Sequence, residues 1–502
     1  MNTITMKIHD IKGFNDGTIE LPIENDIYAI VGNNGSGKST IMSCLAQLIS
    51  RHNLGMLRNE DYCSDSYVKF IYEGKQDVWT CNKNGFWKSS LYPDTISFNG
   101  TYEGSLFYGQ RFRDSKNVDE LMEKGKISDD SIVDADEYIV NKLGEILHGN
   151  PLYYKGLKKI KNKKIAQNLK LKNTPYFSVS KSGLISQYRM SSGECLLISL
   201  LHFIYNSIIR KSLPSDSPII MIIDEIELAL HPVAITKLLD LLKELVREYD
   251  NLTVFITSHS PEVIRKIAPN NIYKIERVDS DSNNFEIVNP CYPSYAIRDV
   301  YEHDGFDYLL LVEDELAKRF VKQSIIDLSL NTSRLISVVP VGGWQNVLSL
   351  QYELVTNNVL GVGKKVISVL DGDIQSKCQS EKKYRASAKL FLPIPSIEKY
   401  LKDKLIDNLD STIKKKINDT FFSVSSLDSV ISEYRIKEKK QKDIQGVDYK
   451  EDTDGKRFYQ KWIIPNLAKY RINESEFIDE LFSIIKTDVD MTSFNNNLKR
   501  LM

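Results

Sequence analysis

The stretch that most constrains this chain runs from Ile27 to Thr40, IYAIVGNNGSGKST. Ile27 to Val31 form an apolar, strand-like run, and Lys38 and Ser39 open a helical pattern that continues from Ile41. Between them lies a glycine-rich turn. A strand, such a turn and a helix carrying G-x-x-x-x-G-K-[ST] make a phosphate-binding loop. Its glycines let the backbone curl until the N–H groups converge on phosphate oxygens, and the helix N-terminus adds partial positive charge. Gly32, Asn33, Asn34, Gly35, Ser36, Gly37 and Thr40 supply the cradle. Lys38 is expected to reach the β- and γ-phosphates, and Ser39 to ligate Mg²⁺.

A chain of 502 residues exceeds one ordinary core, so two or three domains are expected. The net charge of −1 creates no global field toward nucleic acid, so any such binding must use local patches. Cys44, Cys63, Cys81, Cys195, Cys291 and Cys378 are scattered with no C-x-x-C pair, as expected of small core residues in a reducing compartment. The start, MNTITMKIHD, lacks the pattern of a signal peptide. No apolar run approaches the ~18 residues that cross a bilayer. A cytoplasmic protein without membrane attachment is the expectation.

Thr3 to Leu21 alternates like a short meander, with turn signals at Gly13 and Asn15-Asp16-Gly17. Phe14, between them, is expected to be a packed aromatic rather than a platform for a base. Residues 115–147 look mostly helical and charged. Residues 153–172 hold Lys155, Lys158, Lys159, Lys161, Lys163, Lys164, Lys170 and Lys172 with no acid among them. Such a run is first a solvated face and second a binding strip for a phosphate backbone. Met190-Ser191-Ser192-Gly193-Glu194 then opens a long amphipathic helix. The buried run Ile219 to Ile223 ends in Asp224-Glu225, a pair suited to Mg²⁺ coordination by Asp224 and water activation by Glu225. Leu252 to Thr257 is another buried strand, followed by His259, which is placed to sense a γ-phosphate.

GNNGSGKS, MSSGE, IIDEIELALHP and TSHSP, in this order, resemble the ABC-type ATPase head of the RecF, SMC and OLD-family proteins. The resemblance covers roughly residues 1 to 275. It implies ATP as the nucleotide and head-to-tail pairing of two copies. Lys38 of one copy and Ser192-Gly193 of the other would sandwich each nucleotide, with residues 227–232 linking the two sites. It also implies that Gln110, in SLFYGQRFRD, touches Mg²⁺ and the attacking water. About 150 residues separate the phosphate loop from Ser192, which excludes the long coiled-coil arms of SMC proteins.

The breaker-rich stretch Asn289 to Tyr295 marks a linker. Beyond it, the strand-like run Tyr308 to Val312, the strand and tight turn Ile336 to Gly343, the apolar strand with its closing carboxylates Lys365 to Asp373, and the strand and helix start Lys389 to Leu401 alternate with helical patterns. That alternation predicts a parallel sheet. Active groups in such sheets gather beyond the strands' carboxyl ends, where Glu313, Asp371, Asp373 and Glu398 fall. A carboxylate cluster is stable mainly around a cation, and hard oxygen ligands favour Mg²⁺ or Mn²⁺. Such ions activate water and stabilise the leaving oxygen in phosphodiester cleavage.

A Glu at a strand end, followed 58 residues later by Asp-x-Asp, resembles a TOPRIM domain. An ABC-type head before TOPRIM is the arrangement of OLD-family nucleases, including the ATPase–nuclease subunit of the Gabija defence system and retron-associated effectors. The resemblance implies metal binding by Glu313, Asp371, Asp373 and Glu398, and a catalytic role for Lys456 in DGKRFYQKW. Many TOPRIM domains carry Gly after the first Glu; here Asp314 stands there, beside Glu315.

The expected class is α/β. An ABC-type ATPase domain would span residues 1–290, with a helical, lysine-rich insertion at 111–185. A TOPRIM-like parallel domain would span 300–502, with a helical insertion at 405–455 and closing helices. The expected function is that of an ATP-hydrolysing, metal-dependent DNA endonuclease of the OLD type in antiviral defence, paired through its heads or in a higher oligomer. The rival is an ATP-dependent sensor or scaffold with a silent second domain, acting with a reverse transcriptase–DNA complex or a separate nuclease.

Overall fold

The computed structural model describes residues 2–502 except 83, 105–113, 182, 212–216, 278–283, 299–304, 362, 423–425, 444–448 and 470–471. Gln110 therefore lies outside the described residues. The chain forms two compact units, Met1–Asp304 and Gly305–Met502.

In the first unit, five strands run parallel, in the order Ile272–Arg277, Ile27–Val31, Leu252–Thr257, Ile219–Ile223, Asn99–Glu103. Phe285–Val288 adds an antiparallel edge. Ile27–Val31, Ile219–Ile223 and Leu252–Thr257 are buried at every position, as parallel strands covered on both faces must be. A second, antiparallel sheet has the order Phe14–Pro22, Thr3–Ile11, Tyr62–Tyr72, Lys75–Cys81, Trp87–Ser89. Its inward residues Ile4, Met6 and Ile8 share one core with Ile41 and Leu45 of the helix Lys38–Leu45 and with Ile220 and Phe255 of the parallel sheet. The helix carrying Lys38 is thereby clamped between two sheets.

The expected helical insertion is in fact mixed. Besides the helices Ser115–Glu123, Glu137–His148 and Lys163–Asn168 it holds a four-stranded antiparallel sheet, Gly183–Ser186, Tyr176–Ser180, Lys158–Ile160 and Ile132–Asp134. Two of these strands have only three residues, too few to display alternation, and two of the three residues of Lys158–Ile160 are lysines. The core here is Val118, Ile132, Ile160, Ala166, Leu171 and Phe177.

The helix Ser192–Ile209 is, by length and composition, apolar enough to cross a membrane, contrary to the expectation from the sequence. Half of it is buried inside the unit, where Leu197, Ile198, Leu201 and Ile204 belong to the core. That packing is a sufficient reason for its apolar character.

The second unit holds four parallel strands, in the order Ile336–Pro340, Tyr308–Val312, Lys365–Leu370, Lys389–Phe391. The first strand in sequence, Tyr308–Val312, is therefore internal, with its successors on either side. The order reverses between Tyr308–Val312 and Lys365–Leu370, and ligands of open parallel sheets bind at such a switch point. Helices Ser411–Phe421, Leu427–Lys442, Glu474–Asp488 and Thr492–Leu501 complete the unit. Phe320 of the helix Glu315–Asp327 meets Phe482 at 4.7 Å between ring centroids.

Candidate functional site

The first unit gathers its charged groups at the carboxyl ends of three neighbouring strands. After Ile27–Val31 the loop turns at Gly37, whose φ of 97° suits glycine. A Cβ there would lie 1.7 Å from Phe14 Cζ, so a side chain is also excluded by packing. Phe14 is buried against Phe285, with ring centroids 4.6 Å apart, and acts as the floor of the loop. Lys38 Nζ donates to the Gly32 and Asn33 carbonyls, each at 2.9 Å, and so curls the loop around its own ammonium. Burial lowers the pKa of Lys38, opposed by the charges of Asp224, Glu225 and Glu227. From the next strand, Arg277 Nη2 donates to the Gly35 carbonyl at 2.8 Å.

Asp224 and Glu225 leave the strand Ile219–Ile223 beside Leu252–Thr257. Thr257 ties them together: its hydroxyl donates to Asp224 Oδ1 at 2.6 Å and accepts the Glu225 N–H at 2.7 Å. Glu225 adopts φ 57°, an uncommon conformation for a non-glycine residue. Burial first, then Asp224 and Glu227, raise the Glu225 carboxyl above its ordinary range, which suits a proton acceptor. Glu227 Oε1 accepts the His259 N–H at 2.5 Å, while its Oε2 is buried with no hydrogen bond among the described residues. Burial and the Lys38 charge lower the pKa of His259, so the imidazole is neutral at pH 7. Lys38, Asp224, Glu225 and His259 thus form one electrostatically coupled group. Thr257 and Glu227 belong to it and were not anticipated. Thr257 sits within TSHSP, and Glu227 within IIDEIELALHP.

Ser191 caps the helix Ser192–Ile204 in a reciprocal arrangement with Glu194, each bonding the other's backbone N–H, at 3.3 and 2.8 Å. Gly193 packs on the same chain's Ala229; a Cβ there would lie 2.7 Å from the Ala229 carbonyl oxygen. Gly193 therefore rests on the 227–232 loop, with Ser192 exposed beside it.

The second unit presents its carboxylates at the switch point. Glu313 closes Tyr308–Val312, and its Oε1 accepts the Asp371 N–H at 3.0 Å. Gly372 allows Asp371 and Asp373 to approach the next segment: a Cβ would lie 2.6 Å from the carbonyl oxygens of Leu392 and Ile394. Glu398 is 4% exposed at the start of the helix Ile397–Lys402. Gly455, at φ 70°, presses on the Glu398 carbonyl, and the charge of the adjacent Lys456 partly opposes the rise that burial imposes on the Glu398 carboxyl. Asp452 holds this turn by accepting the N–H groups of Arg457 (3.0 Å) and Phe458 (2.8 Å). Lys399, unanticipated, pairs with Asp373.

Asp314 has its own task. Its Oδ1 accepts the Ala317 N–H at 2.8 Å and caps the helix Glu315–Asp327. Glu315 pairs with Lys318 at 3.0 Å on the helix surface.

Burial raises the pKa of Glu313 and Glu398, and pushes Asp371 up to about 8 with added repulsion from Glu313, Asp314, Asp373 and Glu398. Among the described residues, the one group of three such donors with all ligand atoms within 4.8 Å is His9, Asp10 and Asp65 on the antiparallel sheet. The second-unit carboxylates stand wider than that. Mutual repulsion spreads them, and Lys399 draws Asp373 aside. An oxygen-only, mostly half-buried and repelling donor set fits a hard divalent ion such as Mg²⁺. Glu313, Asp371, Asp373 and Glu398 would hold it.

This electrostatic strain has a measurable consequence. A carboxyl raised from 3.8 to about 8 on folding adds stability at low pH that is lost as pH rises through 8. In calorimetry of the metal-free chain, Asp371→Asn or added Mg²⁺ should raise the second unit's melting temperature at pH 8.5. The gain should be about 2–4 °C per kcal/mol recovered. Asp371→Asn should bring no gain at pH 4. Equal melting at both pH values would contradict the strain.

The sequence profile of the RecF/RecN/SMC N terminal domain matches residues 3–284. Solved structures similar to the chain include the SMC head domain from Thermotoga maritima, at 16% identity and TM-score 0.31, covering 58% of this chain and 99% of that one. The recombination mediator protein RecF with ATP is 12% identical, with TM-score 0.31, and covers 57% of this chain and 98% of that one. MJ1267, an ATP-binding cassette of an ABC transporter in its ADP conformation, is 15% identical, with TM-score 0.28 and coverage of 61% and 96%. No curated protein matches the chain.

Proposed function

The chain belongs to the family of the RecF/RecN/SMC N-terminal domain, and from that premise we propose that ATP binding and hydrolysis in its first unit gate metal-dependent cleavage of DNA in its second, as in OLD-family nucleases. The first unit is an ATP-binding domain of the RecF and SMC type. Lys38 neutralises phosphate charge, Asp224 and Ser39 would hold Mg²⁺, and Glu225 takes a proton from the attacking water. Neutral His259 donates its ring N–H toward a γ-phosphate oxygen. Thr257 positions Asp224 and Glu225. Thr257→Val should lower the turnover of ATP about 10–100-fold with little change in KM, as expected when two buried hydrogen bonds are removed. Phosphate-release kinetics check this; unchanged turnover would remove the positioning role.

One observation carries the nuclease reading. Mutually repelling carboxylates, the half-buried Glu313 and Asp371 and the buried Glu398, lie at the switch point of a parallel sheet, and the charge of Lys456 acts on Glu398. This supports a TOPRIM-like site. A divalent ion bound there supplies electrophilic assistance to a phosphodiester and a more acidic water. Asp373 is drawn by Lys399 and must be released from it to join the ligands. Lys456, whose charge acts on Glu398, would offset charge on the leaving oxygen. A second copy, paired through Ser192-Gly193, completes each ATP site in this reading, and defence against phage is the role that the OLD-family resemblance implies.

The sensor reading, with a silent second unit and a reverse transcriptase–DNA complex or separate nuclease as partner, draws on the Lys399–Asp373 pair and on Asp314 being committed to a helix cap. Supercoiled plasmid and single-stranded DNA, incubated with Mg²⁺ or Mn²⁺ and with or without ATP, decide between them. Cutting by the wild type but not by Asp371→Ala/Asp373→Ala supports the nuclease. ATP hydrolysis without cutting under every metal and nucleotide condition favours the sensor.

A further inference from the structure

The lysines of the insertion divide into two kinds. Lys158 and Lys159 are neutralised by Asp134, at 3.1 Å, and by Asp136. Lys161, Lys163, Lys164, Lys170 and Lys172 are exposed and have no ion pair among the described residues. Ile160 before them and Ala166 and Leu171 between them turn inward to the local core, while the five lysines are exposed on one short segment. In the other lysine-rich stretch Lys414 pairs with Asp428 and Lys416 donates to Thr487 at 2.8 Å, while the exposed Lys437, Lys439, Lys440 and Lys442 share their helix with Asp428, Glu433 and Glu438, acids that 161–172 lacks. Five uncompensated cations within a dozen positions, in a chain of net charge −1, make a local field for a polyanion.

The segment leading into this face is tied to the helix Ser192–Ile204. Tyr153 is 57% exposed and stacks on His148 at 3.7 Å. Its neighbour Tyr154 is 7% exposed, and its hydroxyl donates to Glu194 Oε1 at 2.6 Å. The other carboxylate oxygen of Glu194 accepts the Ser191 N–H at 2.8 Å and the Ser191 hydroxyl at 2.6 Å. A shift of Tyr154 therefore reaches the turn that presents Ser192 and Gly193.

We propose that the lysine face binds the phosphate backbone of duplex DNA, and that the Tyr154–Glu194 hydrogen bond carries its occupancy to the N-terminus of the helix Ser192–Ile204. This rests on the reading of DNA as substrate, and adds where the first unit holds it and how the ATP site senses it. Every phosphate that a lysine no longer neutralises lowers the slope of log K against log salt by about 0.9.

The test uses full-length protein and a short fluorescent duplex in EDTA, so that nothing is cut. Replacing the five lysines together (Lys161→Gln, Lys163→Gln, Lys164→Gln, Lys170→Gln, Lys172→Gln) should reduce the salt slope by about 4 and weaken binding at least tenfold near ~0.1 M salt. Basal ATP turnover with Mg²⁺ should not change, which controls for folding. Tyr154→Phe should keep the wild-type slope while its ATP turnover stops responding to added DNA. An unchanged slope in the five-lysine variant, or no DNA binding by the wild type, overturns the binding face. ATP turnover that ignores DNA in the wild type, or still responds in Tyr154→Phe, overturns the link. Neither readout needs cleavage, so both can succeed while the nuclease reading fails. If the wild type cuts and the lysine variant binds and cuts equally well, this inference alone fails.

Discussion

Glu225→Gln is expected to lower ATP hydrolysis by about 10²–10⁴-fold while ATP still binds. Glutamine preserves the side chain's shape and the backbone bond from Glu225 to the Thr257 hydroxyl, because that bond uses the main-chain N–H. What it removes is the proton acceptor. The Glu225 carboxyl is raised by burial, Asp224 and Glu227, and partly held down by Lys38. Its basic form therefore gains population as pH rises through a range above that of an ordinary carboxylate. Wild-type turnover should increase along that limb, and the variant should lack it. Phosphate release across pH, with ATP affinity measured separately, separates impaired catalysis from impaired binding. A variant that turns over normally would assign proton transfer elsewhere.

Asp371→Asn should reduce DNA cleavage by about 10³-fold or more, equivalent to several kcal/mol of charge stabilisation removed with a metal ligand. Above pH 8 the same change removes a charge from a half-buried site, so there the variant should be more stable than the wild type in the absence of metal. Loss of cutting with gain of stability is a signature that simple misfolding does not produce. Asp373→Asn should also lose cutting but, since its carboxylate is already paired with Lys399, gain less stability. Loss of activity with loss of stability in Asp371→Asn would point to a structural aspartate instead.

The phosphate loop was legible because its parts are contiguous: strand, glycines, Lys38 and helix follow one another in fourteen positions. Asp224-Glu225, His259, Glu313 and Asp371-Gly-Asp373 stood out because polar groups end apolar runs, which marks the carboxyl end of a buried strand. Phe14 was read as packing, and it is buried beneath Gly37. Thr257 did not stand out, since a threonine in a buried strand is ordinary. It joins the site only because Ile223 pairs with Ile256 and sets the next residues side by side. Lys399 gave no signal, because its partner Asp373 lies 26 positions away and across a strand. The small sheet of the insertion was missed for a different reason: its strands are too short and too rich in lysine to show a period.

Covalent order alone determined the local chemistry of this chain. Spacing and periodicity along the backbone are enough to make a phosphate cradle at Gly32 to Thr40, to end strands in carboxylates and to alternate strands with helices. Tertiary structure decided which of those groups meet. Placing Tyr308–Val312 between Ile336–Pro340 and Lys365–Leu370 sets Glu313 against Asp371, although 58 positions separate them. Strand order is a long-range choice between pairings of similar local pattern, which a linear reading does not resolve. The charge state of the site depends on the same choice: Asp371 is pushed up to about 8 by burial and by neighbours from other elements, and neither exists until the sheet has formed.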